Sequence, residues 1–218
     1  MTGCEDAKAV LFDLYNTLID IETDEGSMDT YRTTSAWLAY EGVEVDPKTL
    51  KAEYRRLCRD QIWSRGEMHP EVNVEEVFRE ICREFRLWDL DESQVAKRAA
   101  RAFRAASLRR KRVFPQSRTL LEYLADRPLG IVSNGQRVFS EHELRHLGIR
   151  DYFDVIVFSS DYGYKKPDPR LFKCALREIG VDPGDALFIG DSYENDILGP
   201  RQIGMSSMFI HDAWGLTA

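Results

Sequence analysis

Residues 9–20 read AVLFDLYNTLID, and the fold turns on where the apolar run inside them stops. Val10, Leu11 and Phe12 form a compact hydrophobic stretch flanked by charge, the pattern of a buried strand in a parallel sheet. The run ends at Asp13, a residue that a strand interior does not accept. A carboxylate at the end of a buried strand costs free energy unless a partner meets it. Asn16 and Thr17 follow, both good turn formers. The stretch therefore reads as an acid held at the carboxyl edge of a central strand, facing a crevice. In open α/β sheets that edge is where ligands bind.

The second half of the chain repeats this arrangement. Strands are expected at 129–132, 155–158, 186–189 and 207–210, and helices at 116–126, 136–147, 168–179 and 195–203. Gly148, Gly180 and Gly204 close three of the helices. Strand alternating with helix implies an α/β fold with a parallel sheet covered on both faces. Two of these strands end in polar residues, Ser133-Asn134-Gly135 and Gly190-Asp191-Ser192, and in a parallel sheet those ends share one edge with Asp13.

Between them, residues 21–112 carry no strand-like run. Four helical patterns occupy 28–41, 47–64, 74–85 and 92–111, with Pro47 suited to a first turn and Asp91 to a cap backed by Gln94. Lys plus Arg equals Asp plus Glu across this segment, so the acidic excess of the chain lies elsewhere. We read it as a helical module inserted into an α/β domain made of residues 1–20 and 113–218. Trp37, Trp63 and Trp88 are expected to build its core. The cationic stretch 97–112 is expected to be a solvated face that, if functional, attracts anions. Arg32 is a candidate for reaching a substrate's carboxylate or phosphate.

Bulk properties agree. A hydrophobic fraction of 43% and a charged fraction of 31% over 218 residues describe a folded chain that can bury a core. A net charge of −7 argues against nucleic acid or an anionic membrane as partner. The opening MTGCEDAK is polar, so no signal peptide is expected. Cys4, Cys58, Cys82 and Cys174 lack metal-ligand spacing and read as reduced thiols of a cytoplasmic protein. The expected partner is a small molecule, and the chain is expected to act as a monomer or homodimer.

Asp13, Ser133, Asn134, Asp191 and Lys166, the last in a KKPDP loop, would converge on one pocket. Two carboxylates supply hard oxygen ligands of the kind magnesium prefers. The hydroxyl, amide and ammonium supply donors to phosphoryl oxygens. An aspartate with a free oxygen can attack phosphorus, dividing hydrolysis into two steps.

With these residues in order, the chain resembles the haloacid dehalogenase-like hydrolase superfamily. DLYNT at 13–17, SNG at 133–135, KKPDP at 165–169 and GDSYEND at 190–196 are similar to its four motifs and span most of the chain. The resemblance implies a Rossmann-like core with a helical cap between the first two motifs. It implies Asp13 as nucleophile, and Mg²⁺ held by Asp13, the main-chain carbonyl of Tyr15, and Asp191, with Asp196 supporting that shell. It implies that Thr17, Ser133, Asn134 and Lys166 cradle the transferred group. The phosphatases of this superfamily carry a second aspartate two residues after the nucleophile as acid and base, and here that residue is Tyr15. A tyrosine hydroxyl, with a reference pKa of about 10, can donate a proton but is a poor neutral-pH base. Tyrosine there resembles the metal-independent L-2-haloacid dehalogenases. Those have serine at Asp191 and a tyrosine at Phe172, so the first motif looks like a dehalogenase and the fourth like a phosphatase. The expected activity is a magnesium-dependent phosphatase of a small metabolite. The alternatives are a haloacid dehalogenase, or a catalytically impaired protein that binds its ligand.

One further motif, His142-Glu143-Leu144-Arg145-His146, matches the H-E-x-x-H zinc signature. Leu144 and Leu147 would anchor that helix and leave the histidines in solvent, with no third ligand following, so zinc is not expected there.

Overall fold

A computed structural model describes residues 6–217; Cys4 lies outside them. The strands β1 (Ala9–Phe12), β4 (Leu129–Ser133), β5 (Val155–Phe158), β6 (Ala186–Gly190) and β7 (Ser206–Phe209) form one sheet in the order β5-β4-β1-β6-β7, every neighbouring pair parallel. The strand containing Val10, Leu11 and Phe12 is thus the central one. Side chains alternate across it: Val10 and Phe12 enter one apolar cluster with Leu120, Leu121 and Leu144, while Leu11 enters another with Leu171, Phe172 and Phe188. Both faces are buried because helices α5 (Pro115–Tyr123) and α6 (Arg137–His146) cover one and α7 (Pro169–Ile179) the other.

Four helices, α1 (Met28–Tyr40), α2 (Pro47–Ser64), α3 (Val74–Phe85) and α4 (Glu92–Ser107), fill the segment between β1 and α5. Ser27, Asp46, Asn73 and Asp91 cap their N-termini through side-chain oxygens. They share a cluster in which Tyr31, Tyr54, Phe78 and Phe103 stack with centroid separations of 4.8–6.2 Å. Val138 and Phe139 of α6 complete that cluster and join it to the sheet's own helices.

The tryptophan expectation is corrected here. Trp63 is 84% and Trp88 57% exposed, and Trp37 alone of the three packs against the cluster. The tyrosines and phenylalanines recur on inward helix faces, whereas Trp63 sits in the last turn of α2 and Trp88 in the loop between α3 and α4. The fourth helix is also shorter than its periodicity suggests. It stops at Ser107, and β3 (Leu108–Val113) pairs antiparallel with β2 (Ile19–Thr23). Charge holds this ladder: Arg110 and Arg112 each donate to Asp20 at 2.9 Å, and Arg110 donates to Glu22 at 2.7 Å. Apolar spacing carries no trace of such a pair of strands. Toward the C-terminus, the helix expected at 195–203 is a π-helical turn, Tyr193–Leu198, followed by the short Gly199–Arg201. A short helix, Ile210–Trp214, takes over where the last strand ends.

Among the described residues Cys58, Cys82 and Cys174 are free thiols, and no helix is long and apolar enough to cross a membrane.

Candidate active site

The sheet's carboxyl edge opens into a cavity of about 230 Å³. The segment after β1 contributes Asp13 and Tyr15, the end of β4 Ser133 and Asn134, the loop before α7 Lys166, and the turn after β6 Asp191 and Asp196. Hydrogen bonding draws these segments together. The Asp13 amide donates to the Ile189 carbonyl at 2.9 Å. Asn16 holds the turn beyond it at φ 61, a left-handed conformation that asparagine tolerates better than most residues.

Lys166 is the buried pivot, 2% exposed. Its Nζ donates to Asp13 Oδ1 at 2.6 Å and to Asp196 Oδ1 at 2.7 Å. Burial alone would lower its proton affinity, but the two carboxylates outweigh that and raise it, so it stays an ammonium. Burial likewise raises Asp13, helped by Asp196 and Asp191, and Lys166 offsets only part of this, leaving its pKa at about 6. Asp191 is raised for the same reasons, burial first and then Asp196. Oxygens of Asp13, Asp191 and Asp196 lie within 4.8 Å of one another. Three carboxylates against one ammonium leave two negative charges when all are ionised. An all-oxygen donor set with that residual charge fits a hard divalent cation.

Not every residue singled out from the sequence faces this cavity as a ligand would. Ser133 does: it is 1% exposed, lines the cavity, and its hydroxyl makes no hydrogen bond among the described residues. Asn134 instead brackets the lysine, its Oδ1 accepting from the Lys166 amide at 2.7 Å and its Nδ2 donating to the Lys166 carbonyl at 3.3 Å. Thr17 is fully buried and its hydroxyl lies 3.2 Å from Asp13 Oδ2 and 3.3 Å from Asp191 Oδ1. With one proton it serves one acid at a time, so it spaces the two carboxylates. Asp196 is committed on both oxygens, Oδ1 to Lys166 and Oδ2 to the amides of Asp191 and Ser192 at 3.2 and 3.0 Å. Gly190 allows this approach, because a Cβ there would stand 2.4 Å from the Asp196 Cβ. Arg32 is spent on Asp29, on the exposed surface of α1.

Tyr15 departs furthest from expectation. Its hydroxyl donates to Glu143 Oε2 at 2.6 Å and lies 2.7 Å from Ser140 Oγ. Burial and the Glu143 charge push its pKa far upward. Glu143, 4% exposed, also accepts from Arg104 Nε of α4 at 2.7 Å, and that guanidinium lies over the Tyr15 and Phe139 rings. The glutamate of the H-E-x-x-H match is therefore a buried ion-pair partner, while His142 and His146 are exposed. Sequence reading missed this triad of Tyr15, Glu143 and Arg104. The available signal was that Ser140, Glu143, Leu144 and Leu147 share one helix face, which puts Glu143 inside.

Comparison with known proteins adds an independent line. The sequence profile described as haloacid dehalogenase-like hydrolase matches residues 7–204. A glyceraldehyde 3-phosphate phosphatase of Methanothermobacter thermautotrophicus is 35% identical over 102 residues, 46% of this chain and 45% of that protein, so the match spans under half of that relative's length. The protein of the same description from Methanopyrus kandleri is 27% identical over 205 residues, 93% of this chain and 83% of the relative. Among solved structures, a 2-haloacid dehalogenase from Pseudomonas syringae pv. Tomato DC3000 superposes with a TM-score of 0.64 at 28% identity, covering 93% of this chain and 86% of that one.

Proposed function

Because the chain belongs to the haloacid dehalogenase-like hydrolases, we propose that it is a magnesium-dependent phosphomonoester hydrolase acting on a small metabolite through a phospho-aspartate. The observation that carries this reading is the residual double negative charge around one cavity, with Asp191 facing Asp13. With only the Lys166 ammonium and no divalent cation, this site would repel both a phosphate dianion and a haloacid carboxylate. The cavity, about 230 Å³, suits a phosphoryl group on a short body.

In this mechanism Asp13 attacks phosphorus, the bond from phosphorus to the ester oxygen breaks as the acyl phosphate forms, and the departing alkoxide takes its proton from solvent to leave as the alcohol. Water then cleaves that intermediate and restores the carboxylate. Lys166 holds Asp13 ionised and donates to the transferred group's oxygens, and the Ser133 hydroxyl donates beside it. Asp13, the Tyr15 carbonyl and Asp191 would hold Mg²⁺, which when bound supplies positive charge against the phosphoryl oxygens. Asp196 positions Lys166 and the 190–192 turn. The four helices of 28–107 act as a cap that excludes water and selects substrate, with Arg104 and Glu143 tying α4 to α6.

Tyr15 is a positioning residue here, not the proton donor, since its hydroxyl is committed to Glu143. Tyr15→Phe should therefore leave kcat within about threefold while costing about 1–2 kcal/mol, the loss of one donor to a buried carboxylate. A kcat drop of a hundredfold, with KM and fold intact, would return the acid role to Tyr15.

Magnesium linkage gives a test without turnover. Asp13 has a folded pKa near 6, above its usual 3.8. The native state therefore binds the extra proton between those values, and metal-free stability falls as pH rises from about 4 to 6. Mg²⁺ competes with that proton, so saturating Mg²⁺ should raise Tm more at pH 8 than at pH 5. At a hundredfold excess over Kd the gain is about 2.7 kcal/mol, and Asp191→Asn should remove most of it.

The deciding assay is a panel of phosphomonoesters with Mg²⁺ or EDTA, run beside halide release from 2-halo acids. A dehalogenase reading draws on Tyr15 and on the Pseudomonas structure, since halide leaves without a proton. Halide release indifferent to EDTA would establish that reading and overturn ours. Silence in both assays with saturable Mg²⁺ binding would favour a ligand-binding protein.

A further inference from the structure

A second cavity, about 330 Å³, lies between α4 and α6 and shares no lining residue with the first. Its wall unites the cationic stretch of α4 with the helix of the H-E-x-x-H match, two features that the catalytic reading leaves unused. Lys97 and Arg101 enter from α4, and His142 and Arg145 from α6.

The charges in this wall do not cancel. Its Glu141 is taken by Arg145 and Arg150 at 3.0 Å each, its Asp161 by Arg137 at 2.6 Å, and its Glu75 faces Arg79 at 3.7 Å. Lys97 and Arg101 have no carboxylate within ion-pair distance among the described residues. Arg101 gives only its Nε, to the Val138 carbonyl at 2.9 Å, which fixes the guanidinium and leaves its terminal nitrogens available. Helices α3 and α6 both begin at this wall, through Asn73 and Gln136, turning positive dipole ends toward it. His142 registers the resulting potential: burial first, then Arg101, Arg145 and Lys97, hold its imidazole below the ordinary value.

We propose that this cavity is a second anion site, in which Lys97 and Arg101 of α4 and His142 of α6 bind a phosphoryl dianion apart from the catalytic aspartates. A guanidinium held at its Nε beside an unpaired ammonium in a half-open pocket matches such a group. The dianion comes as inorganic phosphate or on a phosphomonoester. Either one seated there bridges α4 to α6 and screens the repulsion between their cations, drawing the helical segment onto the sheet's own helices. This assignment stands apart from the proposed hydrolysis, since it uses none of its residues.

The test follows the His142 imidazole by NMR in protein with labelled histidine, the signal assigned by His142→Gln. EDTA keeps hydrolysis silent while inorganic phosphate or glycerol phosphate is titrated, with sodium chloride at matched ionic strength as control. A saturable His142 shift, weakened at least tenfold in the Lys97→Ala/Arg101→Ala variant and absent from the chloride control, is the expected result, and the tighter of the two ligands identifies the carrier. Phosphate should also raise the Tm of the parent more than that of the variant. A non-saturating shift equal to the chloride control, or a saturable one unchanged in the double variant, would overturn the proposal.

Discussion

Asp13→Asn should lower phosphomonoester turnover by roughly 10⁴–10⁶-fold, the scale on which enzymes lose rate when the attacking group or its base is removed. The fold should survive, because the amide is isosteric and the change relieves strain of an electrostatic kind. Ionised Asp13 is buried, with Asp196 and Asp191 both pushing its pKa upward, so a neutral side chain at this position costs less in the metal-free state. The Tm without Mg²⁺ should equal or exceed that of the parent, while the Mg²⁺-induced rise shrinks. Rapid-quench mass spectrometry should find a phosphorylated Asp13 peptide in the parent and none in the variant. A variant that keeps more than about one per cent of the rate would put the nucleophile elsewhere.

Lys166→Met should act on the fold as strongly as on the chemistry. The ammonium is the shared partner of two carboxylates that are 7% and 1% exposed. Methionine fills the volume and leaves both acids buried without a cation. Removing one partner of a buried pair typically costs about 3–5 kcal/mol, which for a chain of this size corresponds to roughly 6–20 °C in Tm. The sign of the pH dependence identifies the cause. Deprived of the lysine, Asp13 takes a folded pKa further above its unfolded one, so the variant should regain stability as pH falls from 7 toward 5. Denaturant melts across that range check this, and a loss independent of pH would point to packing instead.

The parts of the fold written in apolar spacing were legible in the sequence. Val10, Leu11 and Phe12 fall on the central strand, and the strand ends bring Asp13, Ser133 and Asp191 to one cavity. The parts written in charge were not. Nothing in residues 108–113, LRRKRV, distinguishes the end of a cationic helix from a strand, because what selects the strand is Asp20 and Glu22 some ninety residues earlier. Residue type also did not reveal direction. By residue type Asn134, Thr17 and Tyr15 read as groups that face a ligand or a proton, whereas each spends side-chain polar atoms on a protein neighbour. Exposure of Trp63 and Trp88 escaped for a related reason: size argues for burial only on the inward face of a helix.

The pairing of Thr23 with Leu108 across the two-stranded ladder has an architectural consequence. Everything between those residues departs from the sheet and returns to it at one spot, like a loop tied at its neck. A turn of two to five residues suffices to join antiparallel neighbours, so excising 24–107 and splicing such a turn in its place would redirect neither strand. By the same token, a longer or differently shaped lid could be grafted onto this neck without disturbing the catalytic edge, which would let substrate preference drift while the chemistry stayed put.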